Sequence, residues 1–63
     1  MTIRYEITVY TKDDSELVYR TTGTRSNSSI PYILLDTLGN RYGNCTVIFH
    51  NLTEGWKAEK DFD

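Results

Sequence analysis

Cysteine and histidine are nearly absent from this sequence, which contains only Cys45 and His50. One cysteine cannot close an internal disulfide, and one cysteine with one histidine cannot supply the four ligands of a structural zinc site. Chains that do without disulfides are typical of reducing compartments, so we expect a cytoplasmic protein. The sequence indicates no metal and no other cofactor.

Long apolar runs are also missing. No stretch approaches the roughly 20 apolar residues of a membrane-spanning helix, and the first residues alternate between apolar and polar side chains. This alternation differs from the continuous apolar centre of a signal peptide. We therefore expect no membrane association and a single compact domain over residues 1–63.

Positive charge is not concentrated anywhere in the chain. The net charge is −2, and residues 51–63 carry the acidic excess. Duplex nucleic acids are bound by a concentrated basic face. The arginines of this chain are instead interspersed with acidic residues, which argues against such binding. They are Arg4, Arg20, Arg25 and Arg41.

Catalytic signatures are lacking as well. Cys45 and His50 lie five residues apart, so an unbroken strand would project them to opposite faces. Asp13 and Asp14 are adjacent acids of the kind that turns contain, and the four glycines form no phosphate-binding motif. We expect no catalytic residues and a protein that is not an enzyme.

The clearest pattern that is present lies in Thr2–Thr22, where two alternating runs are joined by a polar turn. Such period-two alternation predicts two half-buried strands in a β-hairpin. We expect a loop over residues 12–14. The expected register opposes Tyr10 with Glu16, Val9 with Leu17, Ile7 with Tyr19, and Glu6 with Arg20 as an ion pair.

The middle of the chain predicts a loop and then a helix. Gly23–Ser29 contains only polar and turn-forming residues, which is typical of a connecting loop. A helix is predicted between Ser29 and Gly43, capped by Ser28 or Ser29 and with Pro31 in its first turn. The apolar positions that recur every four residues predict its buried face. They are Ile30, Leu34 and Leu38.

A second interpretation of residues 30–42 stays open. Tyr32–Leu35 can form a strand that turns near Gly39 into another strand, which would give an all-β barrel. The helix, by contrast, would end at Gly39 or Gly43 in the left-handed conformation of a C-cap. The expected core of the domain consists of Ile3, Ile7, Val9, Leu17, Ile30, Ile33, Leu34, Leu38, Val47, Phe49 and Trp56.

The last third of the chain predicts one strong strand and one weak strand. Asn44–Leu52 is dense in β-forming residues. Trp56–Lys60 predicts a short fourth strand, and residues 61–63 are expected to fray. The order β-β-α-β, with or without the short fourth strand, predicts a small α+β domain. Its mainly antiparallel sheet would carry one helix packed on one face.

Aromatic residues bear most directly on function, because five tyrosines accompany two phenylalanines and one tryptophan. Tyrosine combines an apolar ring with a polar tip and is favoured at protein interfaces. The predicted sheet face away from the helix carries Tyr10, Val18 and Ile48, which would form the centre of a protein-binding surface. The other predicted partner-binding residues are Arg25, in the loop, and Glu59 and Asp61, in the acidic tail.

The two-strand opening, serine-rich loop, capped helix and late strand resemble a known class of protein in size and element order. These are the compact inhibitors that bacteriophages encode against host or defence enzymes; immunoglobulin-binding β-grasp domains are more loosely similar. The resemblance implies a non-enzymatic inhibitor or adaptor that occludes a larger protein partner. A homodimer, formed through the same face or through an exposed edge strand, is the competing structural form.

The alternative function is binding of single-stranded nucleic acid. Tyr10 and neighbouring aromatics would stack on bases, while Arg4, Arg20 and Arg25 would contact phosphates. Because acidic residues lie between these arginines, the sequence favours protein binding over this alternative.

Overall fold

The computed structural model describes residues 2–63, which form four strands and one helix. The strands make one antiparallel sheet in the order β2-β1-β3-β4. The predicted α+β class is confirmed, and the fourth strand has a full seven residues. The elements are β1 (Ile3–Thr11), β2 (Leu17–Arg25), α1 (Tyr32–Tyr42), β3 (Cys45–Asn51) and β4 (Trp56–Phe62).

The hairpin of β1 and β2 exists, but its predicted register is wrong by two residues over most of its length. Val9 lies opposite Tyr19, and Ile7 opposite Thr21. Because side chains alternate with a period of two, a two-residue shift leaves Tyr19 and Thr21 on their expected face, whereas Leu17 now lies opposite Tyr10 instead of Val9 and changes face. Arg20 is now diagonal to Glu6, yet the two still form an ion pair, with 2.7 Å between Nη2 and Oε2.

The turn of this hairpin explains the shift. The N–H of Thr11 donates to the carbonyl of Glu16 at 2.9 Å, so the loop has one residue more than the sequence predicts, and Ser15 adopts a φ of 54° within it. The Thr11 hydroxyl donates to the carboxylate of Asp14, and this bond is the main cause that lowers the pKa of Asp14. The pairing register between β1 and β2 also shifts by one residue at Val18, as in a β-bulge.

The second strand is longer than the sequence predicts. It runs to Arg25, so only residues 26–31 connect it to α1. The predicted serine cap is wrong, because α1 starts after Pro31 without a side-chain cap. The side-chain oxygen of Asn27 instead accepts bonds from the backbone N–H and the hydroxyl of Ser29, and this holds the serine in the loop.

The buried face of α1 differs from the predicted one. Leu35, Leu38 and Gly39 are buried, whereas Leu34 is 38% exposed and Ile33 is 84% exposed. The helix is therefore rotated by about one residue relative to the predicted apolar stripe. It ends where Gly43 takes a φ of 63° and donates its N–H to the carbonyl of Gly39 at 2.8 Å.

The core lies between α1 and the two central strands. Its fully buried side chains alternate along β1 and β3, as expected for strands with one face inward. Leu17 was expected in this core but lies exposed beside the bulge. The core residues are Ile3, Ile7, Val9, Leu35, Leu38, Cys45, Val47 and Phe49.

Contacts between α1 and β4 fix the position of the helix. The Phe62 ring covers Gly39 so closely that a Cβ there would lie 2.2 Å from its Cε1. Lys60 also pairs with Asp36 on the helix. The last strand thus includes Asp61 and Phe62, two of the three residues for which the sequence suggests fraying. Glycine at position 39 lets the helix approach β4 closely.

Two neighbouring leucines test the assignment of the helix face. Leu35→Ala should lower the free energy of unfolding by about 2–5 kcal/mol, because this side chain is fully buried. Leu34→Ala should cost less than about 1 kcal/mol, since Leu34 is partly exposed. Urea denaturation followed by circular dichroism measures both values. Equal losses would show that α1 buries a different face.

Gly39→Ala tests the contact between the helix and the last strand. In an open helix interior this change stabilises by about 1 kcal/mol, but here the new methyl group meets the ring of Phe62. We expect a loss of about 1–3 kcal/mol. In a Phe62→Ala background the obstacle is gone, so the same change should become stabilising. A double-mutant cycle in urea measures this change of sign, and stabilisation in the wild-type background would contradict the contact.

Candidate protein-binding surface

The sheet face opposite α1 carries the predicted aromatic and aliphatic group. Ile48 lies opposite Thr8 across the β1–β3 pair, and Tyr10 lies two residues further along β1. Tyr10 and Ile48 are half-buried, Thr8 is buried between them, and Val18 is exposed at the bulge beside Tyr10. The structure therefore brings these predicted residues together, but leaves only a small apolar area exposed.

Charged groups surround this area, and only some of them are paired. Glu59 lies opposite Ile48, and Asp61 accepts a hydrogen bond of 2.8 Å from the Thr46 hydroxyl. On the other side, Glu6 is paired with Arg20. Glu59 and Asp61 thus belong to the ordered edge strand β4. A face with this alternation of signs resembles an ordinary solvent-facing sheet surface.

Arg25 is separated from the other predicted partner-binding residues. It lies opposite Ile3, on the face of the sheet that α1 packs against. Arg4 and Arg20 lie on the opposite face, in register with Thr24 and Thr8. The three arginines proposed to contact phosphates therefore do not share one surface.

A groove lies between the end of β2 and the first half of α1, and we call it the Arg25 groove. It is open to solvent and has a volume of about 590 Å³. One wall carries the only charged group of the lining, and the other consists of apolar side chains. Its lining residues are Arg25, Ile30, Pro31, Tyr32, Ile33, Leu34 and Thr37.

The apolar wall of the groove is unusually exposed. Tyr32 is 59% exposed, and it adjoins Ile33 and Leu34, which are exposed as well. Ile33 and Leu34 were expected in the core, and this prediction is wrong. A usable signal was present: residues 30–35 are six consecutive apolar residues, and a helix buries only one stripe of such a run.

The helix leaves this wall open because its backbone lies nearest to β3 and β4. Its buried side chains also pack on β1, and Tyr42 at its end packs against Tyr19 of β2. Gly39 beneath Phe62 and Asp36 beside Lys60 hold α1 there. The side of α1 that carries Leu34 and Thr37 consequently faces the Arg25 groove and not a strand.

The guanidinium of Arg25 lacks a carboxylate partner among residues 2–63. Its Nη2 lies 3.4 Å from Oδ1 of Asn27, which is a long contact. Its Nε is buried and has no hydrogen-bond partner in the described part of the chain. A buried donor on a charged group is costly when unpaired. The groove therefore favours an acidic group next to an apolar one.

The hydroxyl of Thr37 in the groove is already engaged, and Cys45 and His50 lie outside the groove. The Thr37 hydroxyl donates to the carbonyl of Ile33 at 2.8 Å. Cys45 is buried in the core and His50 lies on the opposite face of the sheet, as the spacing predicts. Within residues 2–63, no three His, Cys, Asp or Glu side chains are grouped as metal ligands would be.

Comparisons with known proteins return no match to a family model, to a curated protein or to a solved structure. Among the described residues, α1 lacks the length and the apolar character that crossing a membrane would require.

The environment of Cys45 makes a prediction about its reactivity. Burial raises the pKa of the thiol, and its Sγ lies 3.9 Å from the carbonyl oxygen of Gly39. We expect a disulfide reagent to label the native protein on the order of 100-fold more slowly than the urea-unfolded protein, because labelling requires an opening of several kcal/mol. Absorbance of the released thiolate gives both rates. Equal rates would place Cys45 on the surface.

Proposed function

We propose that this protein is a non-enzymatic protein-binding module that docks a larger partner in the Arg25 groove. The observation that carries the proposal is the exposure of Tyr32, Ile33 and Leu34 beside an arginine without an acidic partner. Contiguous exposed apolar groups on a small protein are typical of interaction sites. Aromatic residues and arginine are also the types enriched at interface cores.

The groove is a better contact surface than the open sheet face. Tyr10 and Ile48 are half-buried, and Glu6 beside them is already paired with Arg20, so docking there would remove little apolar surface from water. Ile33, by contrast, is almost wholly exposed. The partner would place an apolar side chain against α1 and an acidic group against Arg25. Tyr10, Val18, Ile48, Glu59 and Asp61 form the second candidate surface.

The most specific form of the proposal is a cytoplasmic inhibitor or adaptor of the phage type. Occlusion of a larger enzyme requires only a rigid surface with a few anchoring side chains. A sheet of four strands with one helix supplies such a surface. The size and element order of the chain support this form.

Quantitative capture from a lysate of the organism that encodes the chain tests the proposal. The bait is the tagged protein, compared with Ile33→Asp and with Leu52→Asp as a matched control. Leu52 is an aliphatic side chain like Ile33 and is 42% exposed, but it lies in the turn before β4. Circular dichroism first establishes that each variant is folded.

We expect one protein to be retained by the wild type and by Leu52→Asp, and to bind Ile33→Asp about tenfold more weakly or worse. Loss of an anchoring side chain at an interface centre costs 1 kcal/mol or more, and each 1.4 kcal/mol is a factor of ten. Undiminished capture by Ile33→Asp, combined with loss in Tyr10→Ala or Ile48→Ala, would move the binding surface to the open sheet face.

A further inference from the structure

The two edges of the sheet are protected to very different degrees. Edge strand β4 carries four charged residues among its seven: Lys57, Glu59, Lys60 and Asp61. Lys60 even lies on the helix side of the sheet, in register with Val47. Charges of this kind on an edge, above all those that point inward, discourage another strand from pairing with it.

Edge strand β2 has no such protection along its centre. It is nine residues long, its residues 21–24 are Thr-Thr-Gly-Thr, and it contains no proline. Its one mid-strand charge, Arg20, is already paired with Glu6 of the neighbouring strand. The helix backbone does not cover this edge, because it lies nearest to β3 and β4; its one aromatic contact with β2 is between Tyr42 and Tyr19, on the face of the sheet. A row of backbone N–H and C=O groups is therefore free to accept a strand.

We propose that the β2 edge pairs in an antiparallel manner with the β2 edge of a second copy of this chain. The two-fold axis would pass through Thr21, the central residue of the strand. Two sheets of four strands would then continue into one sheet of eight. An isologous contact of this kind needs a strand that is complementary to itself when reversed.

The sequence of β2 meets this requirement in charge. In the proposed register, Arg20 lies opposite the neutral Thr22 of the second copy and diagonal to the second Arg20; each of these arginines is neutralised by Glu6 of its own chain. The Arg25 end of one strand meets the Glu16–Leu17 end of the other. This places the acidic Glu16, which shares the helix face of the sheet with Arg25, near an arginine that lacks an acidic partner.

The register also suits the side chains near the axis on the helix face. Tyr19 lies opposite Gly23 of the second copy. Within each chain, the ring of Tyr5 already lies over Gly23, since a Cβ there would approach its hydroxyl oxygen to 2.7 Å. Tyr19 of one copy would thus adjoin Tyr5 of the other, and aromatic pairs across strands are favourable.

This dimer does not depend on the proposed function. The exposed Tyr32 and Ile33 lie on α1 and stay uncovered when the β2 edges pair, whereas Arg25 would contact Glu16 of the second copy. The dimer can therefore form when no larger partner binds, and a larger partner can bind when no dimer forms. The two proposals are tested by different variants.

Thr22 offers a substitution that separates the dimer from the fold. In its own chain Thr22 lies opposite Glu6, so Thr22→Lys is compatible with the monomer. In the dimer the same change puts a positive charge opposite Arg20 of the second copy, twice by symmetry. Thr22→Glu reverses this sign at Arg20 of the second copy but also lies opposite Glu6 of its own chain, so circular dichroism first establishes that this variant is folded. Glu59→Gln, which changes the net charge by the same amount as Thr22→Lys but at the other edge, is the control.

Sedimentation velocity over a wide range of protein concentrations gives the dimer dissociation constant of each variant. We expect the wild type and Glu59→Gln to dimerise alike, Thr22→Lys to dimerise on the order of tenfold more weakly, and Thr22→Glu to dimerise more tightly. A wild type that stays monomeric throughout overturns the proposal. So does a dimer that is unaffected by both Thr22 changes, including one that is lost only in Ile33→Asp.

Discussion

One helix of eleven residues is too narrow to cover a sheet of four strands, and the rest of the structure follows from this incomplete coverage. An α-helix with its side chains is about 10 Å wide, and neighbouring strands lie about 4.8 Å apart, so one helix shields about two strands. The close contact of Gly39 with Phe62 and the ion pair of Asp36 with Lys60 hold α1 on the β4 side of the sheet, while its buried face covers β1 and β3. The side toward β2 is left with a groove and an open edge.

In this arrangement the residues that stabilise the fold are distinct from the apolar residues that are exposed on the surface. The fully buried side chains belong to β1, β3 and the inner face of α1, which together form one core. A chain of this length buries only about 60% of its unfolded surface, so exposed apolar residues are costly to keep. Ile33 and Leu34 make no contribution to the core that would explain their presence. Their retention on the surface is explained if they contact a partner.

The sequence predicts the elements well, because alternation and β-propensity mark β1 and β3, and Pro31 with Gly43 brackets the helix. It does not predict which stripe of the apolar run 30–35 is buried. That choice depends on Gly39, whose missing side chain accommodates Phe62 from a strand far along the chain. The position of Arg25 was missed for a related reason. Because turn-forming residues begin at Gly23, the sequence pattern does not predict that the last three residues of β2 belong to a strand.

Residue-resolved amide hydrogen exchange tests most directly whether β2 is an uncovered edge beside a half-covered sheet. The measurement uses NMR on the isolated chain, at a concentration too low for self-association. Slow exchange is expected throughout β1 and β3, which are paired on both sides. Along β2, protected amides should alternate with fast ones, because only every second N–H faces β1. Continuous protection along β2 would contradict the open edge and, with it, the uncovered surface next to α1.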